Sequence, residues 1–130
     1  MLRIKNKIIP PPGIKALTIW PLVFVRSMYM TQQDWRHEEI HGRQQMEMLV
    51  IGAVFFLLLL LCGCGWWSMI ALPLYFWIYG LFYLWGLLFW LDSKLAYKRN
   101  PFEWEAYFFE GDSGYLERRR WFGWWQFFKY

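Results

Sequence analysis

The chain has 130 residues, 58% apolar, 24% aromatic and only 18% charged, with 14 Lys and Arg against 10 Asp and Glu. Eleven Trp, twelve Phe and eight Tyr are too many for one small aqueous core, and the same figures exclude a disordered tail, a collagen-like fibre and a disulfide-stapled secreted module. What remains is a single-domain membrane protein, and the expected fold class is an all-α membrane protein built on a two-helix transmembrane hairpin.

Residues 1–31 come first, as a basic and apolar interfacial segment. The basic start runs into Pro10-Pro11-Pro12-Gly13, which breaks a helix and does not fit a cleavable signal peptide. The apolar run 16–25 contains Pro21 and is ten residues long, too short to cross a bilayer. It reads either as a strand ending in Leu22-Val23-Phe24-Val25 or as an interfacial segment. As a strand, its free edge would pair with an extended substrate.

A helix over residues 32–67 follows. Thr31-Gln32-Gln33-Asp34 resembles a capping box with Asp in the Glu slot, and helical pattern runs from there into a first span. Residues 48–67 are twenty in a row without a charge, and residues 68–91 are twenty-four more. A crossing needs about 20 apolar residues, so each stretch suffices for one. Gly63, Gly65 and Trp66-Trp67 between them predict a tight turn at headgroup level. Pro73 falls in the first turns of the second helix, where it is tolerated, and the second span with its continuation covers residues 68–98. Cys62 and Cys64 read as small apolar turn residues, because two thiols cannot complete a zinc site and a disulfide across one residue is strained. Seven Lys or Arg precede the hairpin, seven follow it and none lies in the turn. The positive-inside rule therefore puts both termini in the cytoplasm.

Residues 99–130 hold two short helices. Asn100 is a good N-cap and Pro101 suits the first helical position. Residues 110–114 read as a loop and residues 115–130 as an amphipathic helix, in which Arg118-Arg119-Arg120 and six aromatics suit a lipid surface. With no RNP, OB or finger motif present, the basic residues are assigned to lipid and not to nucleic acid.

The chemistry-bearing motif is His37-Glu38-Glu39-Ile40-His41, which contains both of the chain's histidines. Shuffling this composition yields H-E-x-x-H in roughly one sequence in a thousand, so the motif merits a chemical reading. On a helix the two imidazoles lie one turn apart on one face and can share a Zn²⁺. Glu38 sits about 100° round, close enough to act as general base. A catalytic zinc needs a third protein ligand. Glu47 is six residues past His41 but about 240° round the helix, so it is rejected as a ligand and read as an interfacial charge. Glu103 is preferred: the hairpin returns the chain to the side it left, and Glu103 and Tyr107 share one face of the helix after Asn100 while Glu105 points elsewhere. Gln44 and Gln45 are read as solvated, with the alternative that Gln45, one turn beyond His41, hydrogen-bonds a ligand or a peptide group.

Together, His37-Glu38-Glu39-Ile40-His41 and Glu103-Trp104-Glu105-Ala106 resemble the membrane gluzincins of the HtpX and CAAX-protease type, which carry H-E-x-x-H and a distal E-x-x-A-D. The resemblance implies ligands at His37, His41 and Glu103 and a general base at Glu38. The Asp of that pattern is replaced here by Tyr107, so support for the ligands must come from elsewhere, and Tyr107 itself is a candidate donor to a developing oxyanion. The longer string His-Glu-x-Ile-His-x-Arg-Gln-Gln with a distal Phe-Glu-x-Glu-Ala-Tyr resembles small bacterial membrane proteins of similar length, which carry no established activity; it places the chain in a bacterial inner membrane. The expected function is a zinc metallopeptidase acting on a peptide or membrane-protein substrate at the cytoplasmic membrane face. The alternative is a non-enzymatic membrane subunit or scaffold with a structural or degenerate metal site, in which Gly80, Gly86 and the aromatics serve contacts with a second copy or a partner subunit.

Overall fold

The capping signal at Thr31 begins the element that organises the molecule. In the computed structural model, which describes residues 1–26 and 30–128, Thr31 Oγ1 accepts the Asp34 N–H at 3.1 Å and the Asp34 carboxylate accepts the Thr31 N–H at 2.9 Å. Helix α1 then runs unbroken over Gln32–Leu61, about 45 Å at the usual rise per residue. Its two halves face different surroundings. His37, Glu38, Ile40, His41, Gln44, Gln45, Glu47 and Met48 are buried, whereas Val54, Phe55, Leu57, Leu58 and Leu61 are exposed. Gly63 and Gly65 take positive φ in the turn that follows, and a 3-10 helix over Gly65–Ala71 brings the chain back. A Cβ at Gly52 would sit 2.5 Å from the Ala71 carbonyl oxygen, so glycine is what lets the returning backbone lie against α1.

The second span is not the single helix expected over residues 68–91. The 3-10 helix gives way at Pro73 to α2 (Leu74–Trp90), with a 58° bend between the two. Proline has no N–H with which to continue the preceding turn. Among the described residues, α1 alone is long and apolar enough to cross a membrane, and the 3-10 helix and α2 meet that standard only as a bent pair. Leu91 closes α2 in the left-handed conformation, and Asp92 caps the six-residue α3 (Ser93–Lys98) by accepting the N–H groups of Lys94 and Leu95. Helix α3 folds back on α2: a Cβ at Gly86 would stand 3.0 Å from Ala96 Cα, while one at Gly80 would meet nothing within 4 Å. Asn100 then caps α4 (Pro101–Phe109), accepting the Phe102 N–H at 3.2 Å with Pro101 in the first turn, as the sequence predicts.

The N-terminal segment corrects the all-α expectation. The chain is mostly helical but carries a sheet of strands β1 (Leu2–Lys5), β2 (Ala16–Ile19) and β3 (Leu22–Val25), in the order β1-β3-β2. The strand reading of Leu22–Val25 holds, but its edge is not free. Strand β3 is central, antiparallel to β2 across the Trp20-Pro21 turn and parallel to β1. Ala16, Val23 and Val25 form the sheet's buried face against Met30 and Trp35.

The C-terminal amphipathic helix is also broken. A four-residue α5 (Tyr115–Arg118) is followed by a 3-10 helix over Gly123–Phe127, with Phe122 at φ 59° between them. Arg119 turns inward to two buried carboxylates, and the Phe122 N–H donates to Glu47 Oε1 at 3.0 Å instead of continuing a helix. Lys129 and Tyr130, the end of the predicted helix, lie outside the described residues. Trp124 from this segment joins Met48, Tyr75 and Phe102 in the largest buried apolar cluster.

Candidate metal centre

Packing of α1 on α4 brings the two distant motifs together. Ile40 and Ala106, both fully buried, lie in one cluster with Tyr115, so the face of α1 that carries the histidines looks toward the first turn of α4. His37 Nε2 and His41 Nε2 are 3.1 Å apart. Glu103 closes the triangle, with Oε2 3.5 Å from His37 Nε2 and Oε1 3.5 Å from His41 Nε2. Donors each about 2.0–2.1 Å from a tetrahedral zinc stand about 3.3–3.4 Å from one another, so the three edges match a site for one ion. All three side chains are buried, and among the described residues they are the group able to share a cation.

The surroundings fix which atoms face inward. His37 Nδ1 is 2.7 Å from Glu110 Oε2, and His41 Nδ1 is 2.9 Å from Gln44 Oε1. Both partners accept, so each ring can hold a proton on Nδ1 and turn Nε2 to the centre. Without a metal, burial lowers the His41 pKa, but the Glu103 carboxylate outweighs burial and raises it to about 9, so His41 is then a cation. Tyr79 donates its hydroxyl to Glu103 Oε1 at 2.8 Å. Glu103 Oε2 is buried without a hydrogen-bond partner, which is how a carboxylate oxygen stands when its partner is a cation. Burial alone would raise the pKa of Glu103, but the charge of protonated His41 and the hydrogen bonds from both imidazoles outweigh it and hold this carboxyl well below its usual range. Glu103 is thus ionised at neutral pH.

Glu38 is placed beside the triangle. It lines a cavity of about 290 Å³ together with His37, His41 and Glu103, and its Oε2 accepts the Thr18 hydroxyl at 2.6 Å. Tyr107 does not line that cavity. Its ring packs edge-on against His37, with centroids 4.6 Å apart, and it lines the adjoining cleft of about 830 Å³ with Tyr97 and Glu110. Burial raises the Tyr107 hydroxyl above its ordinary value, so it keeps its proton, and it is hydrogen-bonded to Tyr97. Tyr97 lines both spaces.

Three expectations about polar residues are corrected. Glu47 is 3% exposed and ion-paired with Arg119, so it is a buried charge and not an interfacial one. Gln44 and Gln45 are buried, not solvated. Gln45 accepts the Trp20 N–H and donates to the Thr18 carbonyl, both at 2.7 Å, pinning β2 to α1. Gln44 bonds His41, Glu105 and the Phe102 carbonyl. Glu105 points away from the imidazoles, as its helical position predicts, into a cluster with Tyr115 and Arg119.

Sequence reasoning missed Glu110, Thr18 and Tyr79. Glu110 was legible in principle: residues 103, 107 and 110 follow the i, i+4, i+7 spacing of one helix face, and Glu110 closes α4 as its C-cap. It supplies the carboxylate that Tyr107 cannot. Thr18 and Tyr79 come from a strand and from the bent helix, which no local spacing connects to the motif. Compared with protein-family models, curated proteins and solved structures, the chain matches none.

Proposed function

We propose that this protein is a small integral-membrane zinc metallopeptidase, similar to the membrane gluzincins, that cleaves peptide bonds at the cytoplasmic face of a bacterial inner membrane. The observation that carries this reading is the preformed triangle of His37, His41 and Glu103 with Glu38 beside it. When bound, zinc supplies Lewis acidity toward a carbonyl and lowers the pKa of water. The chain's own groups do the rest. His37 and His41 present Nε2, and Glu103 adds one negative charge. Glu38 takes a proton from the attacking water and returns it to the leaving amine, while Thr18 holds its carboxylate in the cavity. Tyr107, protonated and beside His37, is the candidate donor to the oxyanion.

The strand beside the base is β2, whose outer side is bonded by Gln45 at Thr18 and at Trp20 just beyond the strand. Its inner side pairs with β3, and Ala16, Leu17 and Thr18 line the cavity that holds Glu38.

The apolar arm of the molecule supports a membrane location. From Leu49 through Leu91 the large exposed side chains are Leu, Val, Phe, Trp, Met and Ile, with Trp66 89% and Trp85 71% exposed, and Cys62, Gly63, Gly65 and Pro73 are exposed between α1 and α2. No charge occurs in residues 48–91, so this arm forms the hairpin, with the centre and both termini on the side rich in Lys and Arg.

The test is Glu38→Gln, assayed on a quenched-fluorescence peptide library in mild detergent. The variant keeps its zinc and loses cleavage by about 10²–10⁴-fold; undiminished cleavage refutes the assigned base. Zinc bound with no cleavage by the wild type on any substrate moves the reading to a membrane subunit with a structural metal site.

A further inference from the structure

Gln44 is a buried side chain near the centre that the proposed reaction does not use. It is fully buried and sits three residues after His41 on α1. Its amide nitrogen faces two acceptors, Glu105 Oε2 at 2.8 Å and the Phe102 carbonyl at 2.9 Å. Its amide oxygen faces His41 Nδ1 at 2.9 Å, and the Tyr75 hydroxyl, 3.3 Å from the same Nδ1, donates to that oxygen at 3.5 Å. The two ends of a primary amide are not interchangeable, because the nitrogen only donates and the oxygen only accepts. Turning the amide over would set its oxygen against a carboxylate and a carbonyl.

Glu105 is itself held as an acceptor. Tyr115 donates to its Oε1 at 2.6 Å, and Arg119 donates through Nε to Oε1 at 2.6 Å and through a terminal nitrogen to Oε2 at 3.1 Å. Arg119 also grips Glu47 on α1. A run of three links therefore leads from the C-terminal segment to a metal ligand: Arg119 to Glu105, Glu105 to Gln44, and Gln44 to His41.

We propose that Gln44 is a positioning residue for the metal centre: its amide, locked in one orientation by Glu105 and the Phe102 carbonyl, keeps the proton on His41 Nδ1 so that Nε2 is the nitrogen offered to the ion. This rests on the zinc reading above. Glu110 does the same for His37 through a carboxylate directly. His41 is served by a neutral amide whose orientation is set one step further out, by residues that follow α4 in the chain. The C-terminal segment thereby completes a site it does not touch. Gln45 provides the contrast: it is equally a buried amide on α1, but its bonds go to Trp20 and Thr18.

The experiment measures Zn²⁺ affinity by competition with a chromophoric chelator, in mild detergent, for the full chain and for Gln44→Met, Glu105→Gln and Gln45→Met. Metal-free unfolding is followed for each. Gln44→Met is expected to weaken zinc binding by about 10–100-fold. Glu105→Gln, nearly isosteric and protecting the test if Gln44→Met folds poorly, weakens it in the same direction by less. Gln45→Met keeps wild-type affinity whatever it costs in unfolding. Ring ¹⁵N spectra of the zinc-loaded proteins add a signature that packing alone does not move: the Nδ1 proton of His41 is retained in the wild type and exchanges rapidly in Gln44→Met, while that of His37 stays. Unchanged affinity in Gln44→Met and Glu105→Gln, or an equal loss in Gln45→Met, overturns the inference and leaves the metal reading standing. A wild type that binds no zinc overturns both.

Discussion

Replacing Arg119 with Met would leave Glu47 and Glu105 buried with no cation between them. The side chains of the three residues are 4%, 3% and 0% exposed, so water cannot take over the role of the guanidinium. Removing one partner of a buried pair costs about 3–5 kcal/mol, because the partner's charge stays behind unsolvated. Here two carboxylates stay behind, and the Tyr115 hydroxyl, the Gln44 amide and the Phe122 N–H compensate them only in part. Against a total stability of about 5–15 kcal/mol, Arg119→Met should remove about a fifth or more. Arg119→Lys keeps a charge but loses the fork that reaches both carboxylates, and should fall between. Adding Glu47→Gln and Glu105→Gln to Arg119→Met should recover much of the loss, since amides carry no buried charge. Denaturant unfolding of the metal-free protein in detergent, followed by near-UV circular dichroism of its many tryptophans, measures all of these. A loss below about 1 kcal/mol in Arg119→Met would place the pair at the range of exposed ion pairs and refute a buried cluster.

Glu110→Gln tests the support of the other ligand. The amide still accepts from His37 Nδ1 but no longer as an anion, and zinc affinity should fall by about 10–100-fold while the apolar packing of α4 persists; unchanged affinity would show that Glu110 does not orient His37. The depressed pKa of Glu103 makes a pH prediction for the metal-free protein. A carboxyl held below its unfolded value of 4.5 contributes stability that is present above that pH and lost as the pH falls through the folded value. Wild-type stability should therefore drop more steeply below pH 4.5 than that of Glu103→Gln, in paired acid titrations of unfolding; parallel curves would contradict the ion pairing.

The elements that set the site were legible because their signals are local. The Thr31 cap, the one-turn spacing of His37 and His41, and the Asn100-Pro101 start that aims Glu103 inward each depend on a few neighbouring residues. What was not legible depends on partners far along the chain. Gln44, Gln45 and Glu47 look like a polar turn of helix, and only the arrival of Glu105, β2 and Arg119 turns them into buried structure. The three four-residue strands carry too little pattern to announce a sheet, and the Pro10-Pro11-Pro12-Gly13 break gives no hint that Leu2–Lys5 will pair with Leu22–Val25. The C-terminal helix failed for a related reason. Its arginine run reads as a headgroup stripe, yet Arg119 is drawn inside by two carboxylates while Arg118 pairs with Asp112 at the surface.

The most direct test of the account is the metal content of the protein purified in mild detergent, measured by elemental analysis for the wild type and His41→Ala side by side. The account predicts close to one zinc per chain in the wild type and little or none in the variant. A wild type that is folded and free of zinc after exposure to the metal, or a variant that retains it, would contradict the triangle of His37, His41 and Glu103 as a metal centre.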